Sequence, residues 1–237
     1  MNPAPNLRLH TAKGRAVRSL LARRGQVLVD LPPQGRDDLA LIRETRAATH
    51  LLMQDAAALN LLAWVRSAVR LGGELAEAGV FMGGSARLIC EAKGQAPLHL
   101  FDVFDALQGD GGPGSDSAEK GVREHFGTIH APLEQVRGLM APYPQVHIHP
   151  GLFPDSAEAV ADRRFCFVHL DLDLARGTAD ALEFFYSRLL TGGVLIGDDY
   201  NLPPVRESFD AYFARRSDAF AVLPWGQVVV VKAEARP

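Results

Sequence analysis

Cysteine is nearly absent. Cys90 and Cys166 are the only two in 237 residues, far apart and each inside an apolar segment. A disulfide framework or a cysteine-built zinc site is therefore excluded, and both read as buried free thiols. No apolar run approaches the ~18 residues that span a bilayer, and no hydrophobic core follows the basic start as in a signal peptide. The expectation is a cytoplasmic protein with no membrane partner. Excess charge is lacking too: the formal net charge is -3, which gives no overall pull toward nucleic acid. Acids are missing from the first 29 residues, which carry Arg8, Lys13, Arg15, Arg18, Arg23 and Arg24. That basic arm reads as a loosely docked terminus or as a contact to another subunit. Also missing is Gly-x-Gly-x-x-Gly after a strand, which disfavours an NAD-dependent oxidoreductase.

What is present is an ordinary globular composition, 47% hydrophobic and 22% charged. Residues 1–14 lack periodicity and read as a disordered or extended arm, Arg15–Arg24 as a short helix, and Gln26–Leu31 as strand-like before Pro32 and Pro33. Asp37–Arg46 and Thr49–Leu71 read as helices, the second with Leu51, Leu52, Ala56, Leu59, Leu62, Val65 and Val69 on one face. Gly72 and Gly73 stop it. Residues 1–48 form an arm and cap segment ahead of a main domain, 49–237.

From Glu74 onward strands and helices alternate. Strands are expected near Leu75–Val80, Leu98–Phe104, Val146–His149, Phe165–Leu170, Gly193–Ile196, Ala219–Leu223 and Gln227–Val231. Helices are expected near Ser85–Lys93, Leu133–Met140, Asp155–Ala161, Thr178–Leu190 and Val205–Arg215. This predicts an α/β fold, a doubly wound, mainly parallel seven-stranded sheet closed by an antiparallel hairpin through Pro224, Trp225 and Gly226, with N-terminal helices in addition. The glycine-rich stretch Gln108–Ser117 reads as a lid or substrate loop.

Three clusters carry chemistry. In Ala76–Ala86, Gly79, Gly83 and Gly84 let the backbone approach a ligand at a strand-to-helix turn, and Ser85 can cap the helix. Asp102, about 25 residues after Glu77, ends the second core strand, where a carboxylate can accept ribose hydroxyls. Asp171 with Asp173, and Asp198 with Asp199, end two further buried strands. Carboxylates gathered there repel one another unless a cation joins them, and an oxygen-only set suits Mg²⁺ or another hard divalent ion. Asp173 reads equally as a helix cap or a solvent-facing acid. His147 and His149 share a strand face and read as surface rather than as metal ligands; His125 and His130 flank a loop within reach of a substrate.

Taken in order, Glu77-Ala-Gly-Val-Phe-Met-Gly-Gly-Ser85, Phe101-Asp-Val-Phe-Asp105, Gly151-Leu-Phe-Pro-Asp-Ser156, His169-Leu-Asp-Leu-Asp-Leu174 and Asp198-Asp-Tyr200 resemble the macrocin O-methyltransferase (TylF/MycF) family. The resemblance implies a class I methyltransferase fold, S-adenosylmethionine as donor, Mg²⁺-assisted transfer to a hydroxyl of a small molecule such as a natural-product sugar, and a homo-oligomer. Carried over, Glu77, Ala78, Gly79, Val80 and Phe81, with Gly83 and Ser85, would hold the methionine part of the donor, and Asp102 its ribose. Phe104 and Asp105 would border the adenine, and Thr49 and His50 would lie in the segment closing over the donor. Asp171, Asp198 and Asp199 match the metal ligands, with Asp171 also the base. Two departures stand out. Ala175-Arg-Gly-Thr178 replaces the family's Tyr-Glu-Ser-Thr beside the acceptor, and His50 replaces methionine. A nitrogen, phenol or catechol acceptor, or a non-catalytic donor-binding protein, are the alternatives.

Overall fold

The computed structural model describes residues 11–104 and 132–234. The expected Asp105, His125, His130 and the Gln108–Ser117 loop lie outside the described residues. Helices α1 (Ala12–Ala22), α2 (Pro33–Ala48) and α3 (Asp55–Ala68) precede strand β1 (Glu74–Ala78). There follow α4 (Gly84–Lys93), β2 (Leu98–Asp102), α5 (Leu133–Met140), β3 (Val146–Pro150), a 3₁₀ turn (Asp155–Val160), β4 (Phe165–Leu170), α6 (Ala175–Arg188), β5 (Leu189–Gly197), α7 (Pro203–Phe213), β6 (Ala219–Val222) and β7 (Val228–Val231).

The seven strands lie in the order β3-β2-β1-β4-β5-β7-β6. β3, β2, β1, β4 and β5 pair in parallel, and β7 is antiparallel to both β5 and β6. β4 is buried along its whole length, as its run of aromatic and β-branched residues demands in a sheet covered on both faces. One face packs Ile42, Leu61, Leu62, Val65, Ile89 and Val136 against Leu75, Leu98 and Phe167. The other packs Leu182, Phe185, Val205 and Phe209 against Phe101, Phe165 and Leu195. Gly197 has no room for a side chain on this second face, because a Cβ there would meet the Phe209 ring at 2.3 Å.

The N-terminal third differs from expectation in four places, the first being α2, which starts at Pro33 with Pro32 as its N-cap rather than at Asp37. Helix α1 begins at Ala12, with Thr11 Oγ1 accepting from Gly14 N at 3.1 Å, so residues 12–14 are helical; α1 buries none of its residues. Gln26–Leu31 forms no strand, and Val27 and Val29 are 85% and 65% exposed. A strand exists only by pairing, and among the described residues no strand pairs with this segment. The expected Thr49–Leu71 helix is interrupted. Thr49 is extended, its amide and hydroxyl both bonding Thr45 O, and the chain re-enters a helix only at Asp55. Leu52 is consequently exposed, and the buried stripe of α3 is Ala58, Leu61, Leu62, Val65 and Ala68. Among the described residues no helix is long and apolar enough to cross a membrane.

Candidate active site

The strand order reverses between β1 and β4, and in open sheets of this kind the crevice beyond the carboxyl ends at such a point takes the ligand. The expected glycine turn leaves β1 there. Gly79 has φ +89°, and Asp171 N donates to Ala78 O at 2.8 Å, so the turns after β1 and β4 are in direct contact. Gly83, not Ser85, is the N-cap of α4, with φ +82°. Ser85, the second residue of the helix, is buried, and α4 has no side-chain cap. Gly84 accepts the close crossing of the Thr49–Gln54 segment, since a Cβ there would lie 2.8 Å from Leu51 Cα. That segment is gripped by Arg46, which donates to Leu51 O at 3.4 Å and Met53 O at 2.6 Å and pairs with Asp55 at 2.5 Å. His50, within it, is exposed.

Asp102 stands at the end of β2 and ties two turns together. Its Oδ2 accepts from Val80 N and Phe81 N, both at 2.7 Å, and its Oδ1 from Phe104 N at 2.9 Å. A carboxylate has about four acceptor positions, so Oδ1 keeps one for a hydroxyl. Phe81, Phe104, Asp173 and Asp199 follow β1, β2, β4 and β5 in turn, and all four have positive φ, between 49° and 58°. Left-handed backbone at non-glycine residues is costly and gathers at functional sites.

The aspartates converge. Asp171 belongs to two overlapping groups whose potential ligand atoms lie within 4.8 Å of one another, one with His169 and Asp198, the other with Asp173 and Asp199. The expected trio of Asp171, Asp198 and Asp199 is thus divided around Asp171, and Asp173 joins the cluster instead of capping α6, whose N-cap is Leu174. Asp198 and Asp199 both approach because β5 ends at Gly197, before side-chain alternation would separate them. Burial, then the charges of Asp198 and Asp173, hold the Asp171 carboxyl well above the usual carboxylate range. Burial and the hydrogen bond with Asp199 push Asp173 up to about 8. A divalent cation would relieve this repulsion, and hard carboxylate donors suit Mg²⁺.

Behind the cluster, His169 is fully buried. Its Nδ1 lies 2.8 Å from Glu77 Oε1 and its Nε2 3.1 Å from Asp198 Oδ2. Burial alone would lower its pKa, but the bonds to Asp198 and Glu77 outweigh it and hold the imidazole well above its ordinary value. Glu77 is fully buried as well, and its Oε2 has no partner. The residues present fit the expected donor: an orphaned carboxylate oxygen can take an ammonium group, and Asp102 retains an acceptor for ribose. His169 opens the His169–Leu174 motif, to which the family resemblance attaches only the aspartates. The signal was a polar residue at a β4 position that the surrounding pattern marks as core.

His147 is exposed, as expected, whereas His149 is half-buried. His149 Nε2 lies 3.0 Å from His99 Nδ1, and the buried His99 also meets Glu74 Oε2 through Nε2 at 2.7 Å. His147 stacks on His99 with ring centroids 5.0 Å apart. Burial, with the neighbouring His99 and His147, pushes His149 down to about 4.

The sheet order, the glycine turn after β1 and the acid after β2 together define a class I methyltransferase fold. The NovP O-methyltransferase structure superposes on 75% of this chain and 79% of its own, with a TM-score of 0.65 at 24% identity. The family model for macrocin-O-methyltransferase (TylF) matches residues 53–220, and the chain belongs to that family. It is 36% identical over 154 residues to the 8-demethyl-8-(2,3-dimethoxy-alpha-L-rhamnosyl)-tetracenomycin-C 4'-O-methyltransferase of Streptomyces olivaceus, covering 60% of this chain and 59% of that protein. It is 32% identical over 168 residues to the mycinamicin III 3''-O-methyltransferase of Micromonospora griseorubida, covering 65% and 66%. The chain thus spans 59% and 66% of the length of these two relatives.

Proposed function

We propose that this protein is an S-adenosylmethionine-dependent, Mg²⁺-assisted O-methyltransferase acting on a hydroxyl of a small molecule, a sugar or other natural-product intermediate. One observation carries the reading: a half-buried carboxylate cluster centred on Asp171 abuts the glycine turn of a macrocin-O-methyltransferase family chain, with Asp171 N bonded to Ala78 O at 2.8 Å. The names of the two relatives, both O-methyltransferases, support the reaction class.

Glu77 and the Ala78–Phe81 turn bind the methionine end of the donor, with Gly83 and Ser85 lining it, Asp102 taking the ribose and Phe104 and Asp105 bordering the base. The segment holding Thr49 and His50 covers it. Asp171, Asp198 and Asp199 hold the cation, with Asp173 beside them, and Asp171 takes the proton of the acceptor hydroxyl. When bound, S-adenosylmethionine supplies the methyl group from a sulfonium that departs as a neutral thioether. A Mg²⁺ held by these aspartates would supply Lewis acidity that lowers the pKa of the acceptor hydroxyl. Ala175 in place of an aromatic residue widens the acceptor side. The exposed Leu20, Val27 and Val29 support self-association of the N-terminal segment.

The test is calorimetric titration of S-adenosylmethionine and S-adenosylhomocysteine with and without Mg²⁺, followed by transfer of labelled methyl to a panel of sugar-bearing acceptors. Micromolar donor binding and Mg²⁺-dependent transfer are expected. Absence of donor binding would overturn the reading. Transfer that persists in chelator would remove the cation from it.

A further inference from the structure

Across the middle of the sheet one lateral row runs Leu100, Glu77, His169, Ile196 and Val229, on β2, β1, β4, β5 and β7. Leu100 and Ile196 are wholly buried and Val229 is 3% exposed. Two ionisable side chains stand in the centre of this apolar row, both with no exposed surface. Stability does not call for them, because replacing a buried ionic pair by well-packed apolar residues is often neutral or stabilising. What distinguishes the pair is its reach. His169 touches Glu77 at 2.8 Å with Nδ1 and, with the opposite ring nitrogen, Asp198 at 3.1 Å.

The two carboxylates belong to different parts of the crevice. Glu77 lies two residues before Gly79 and keeps Oε2 without a partner. Asp198 lies one residue past the end of β5 and shares a group with Asp171. The imidazole between them is planar and rigid, and packing leaves it no exposed surface. A shift of either carboxylate toward a ligand must therefore stretch the bond to the ring or carry the ring with it.

We infer that His169 is a positioning residue that ties the donor-binding Glu77 to Asp198 of the cation cluster, so that filling either site changes the affinity of the other. This rests on the donor and cation reading above. Coupling of this kind is reciprocal, each ligand altering the other's affinity by the same factor. A physical connection through two specific bonds also predicts how to cut it. Asparagine at 169 places an amide nitrogen near the position of Nδ1 and keeps the Glu77 bond. Glutamine reaches the Nε2 position and keeps the Asp198 bond. Either variant leaves one link and removes the other.

The experiment titrates S-adenosylhomocysteine into the protein with and without saturating Mg²⁺, and Mg²⁺ with and without S-adenosylhomocysteine, for the wild type, His169→Asn and His169→Gln. In the wild type each affinity should change at least about fivefold, by the same factor in both directions. In both variants the two ligands still bind and the factor falls below about twofold. Wild-type ring N–H signals of His169, followed by ¹⁵N-histidine NMR, should move on adding either ligand alone, a readout that needs no variant to fold. An unchanged coupling factor in the folded variants, a wild-type factor of one, or ring signals that answer only one ligand would overturn the coupling and leave the donor and cation reading standing. A wild type that binds neither ligand would sink that reading, and this inference with it.

Discussion

Gly79 and Asp171 are packed so closely that a Cβ on the glycine would fall 1.7 Å from the Asp171 carbonyl oxygen. The glycine also holds φ +89°, which side-chain-bearing residues rarely adopt. Gly79→Ala must therefore separate the turn after β1 from the turn after β4. The expected loss is on the order of 3 kcal/mol of stability, with donor affinity lost in whatever fraction remains folded. Chemical denaturation and calorimetry measure both.

Asp171→Asn removes the proposed base and the shared member of the cation cluster while keeping the side-chain shape. Turnover should fall at least about 100-fold. Stability without Mg²⁺ should be kept or raised, because a carboxyl pressed by burial and by Asp198 and Asp173 is gone. Mg²⁺ should raise the wild-type melting temperature, by stabilising what it binds, and fail to do so in the variant. Parallel melting curves in Mg²⁺ and in chelator read this directly.

Arg46 holds the segment that crosses Gly84 through two backbone carbonyls and Asp55. The ion pair itself is half-exposed and contributes little, but the carbonyl bonds fix the loop. Arg46→Ala should weaken S-adenosylhomocysteine binding about tenfold with kcat nearly unchanged and less than about 1 kcal/mol lost in stability. A kcat loss larger than the affinity loss would contradict the assignment of this segment to the donor side.

The His99–His149 cluster makes stability depend on pH. His149 is held neutral, pushed down to about 4 by burial, His99 and His147, whereas a free histidine titrates near 6.5. Above about 6.5 neither state takes the proton. As pH falls from about 6.5 toward 4 the unfolded chain binds a proton that the folded chain refuses, so stability drops. His149→Asn should lessen the fall in melting temperature across that window without abolishing it, since burial also holds His99 below its ordinary value, measured by calorimetry from pH 4 to 8.

Where the physics is local, the sequence was a sound guide. Phe165–Leu170 and Leu133–Met140 have the predicted bounds, since a six-residue apolar run and a compact 3.6-period pattern each admit one solution. The glycine turn and the aspartates at strand ends were legible because a parallel sheet places such residues at one edge. What was not legible depends on partners. Gln26–Leu31 has strand composition but pairs with no strand among the described residues. The break at Thr49–Gln54 comes from Thr45 and Arg46 capturing backbone groups, which apolar spacing does not register. The roles of His169 and His99 follow from residues 92 and 50 positions away. The insertion of β7 between β5 and β6 is likewise a pairing choice that the short hairpin alone leaves open.

Phe209 of α7 rests its ring where a side chain on Gly197 would be, one residue before the aspartate pair. The aspartate cluster is therefore backed by a helix packed on one face of the sheet, which acts as a fixed stop for the end of β5. Tuning need not occur in the crevice. A smaller ring at 209 would let the strand end settle backward and open the distance between Asp198 and Asp171, so the hidden face of the molecule sets the spacing of the aspartates at the crevice.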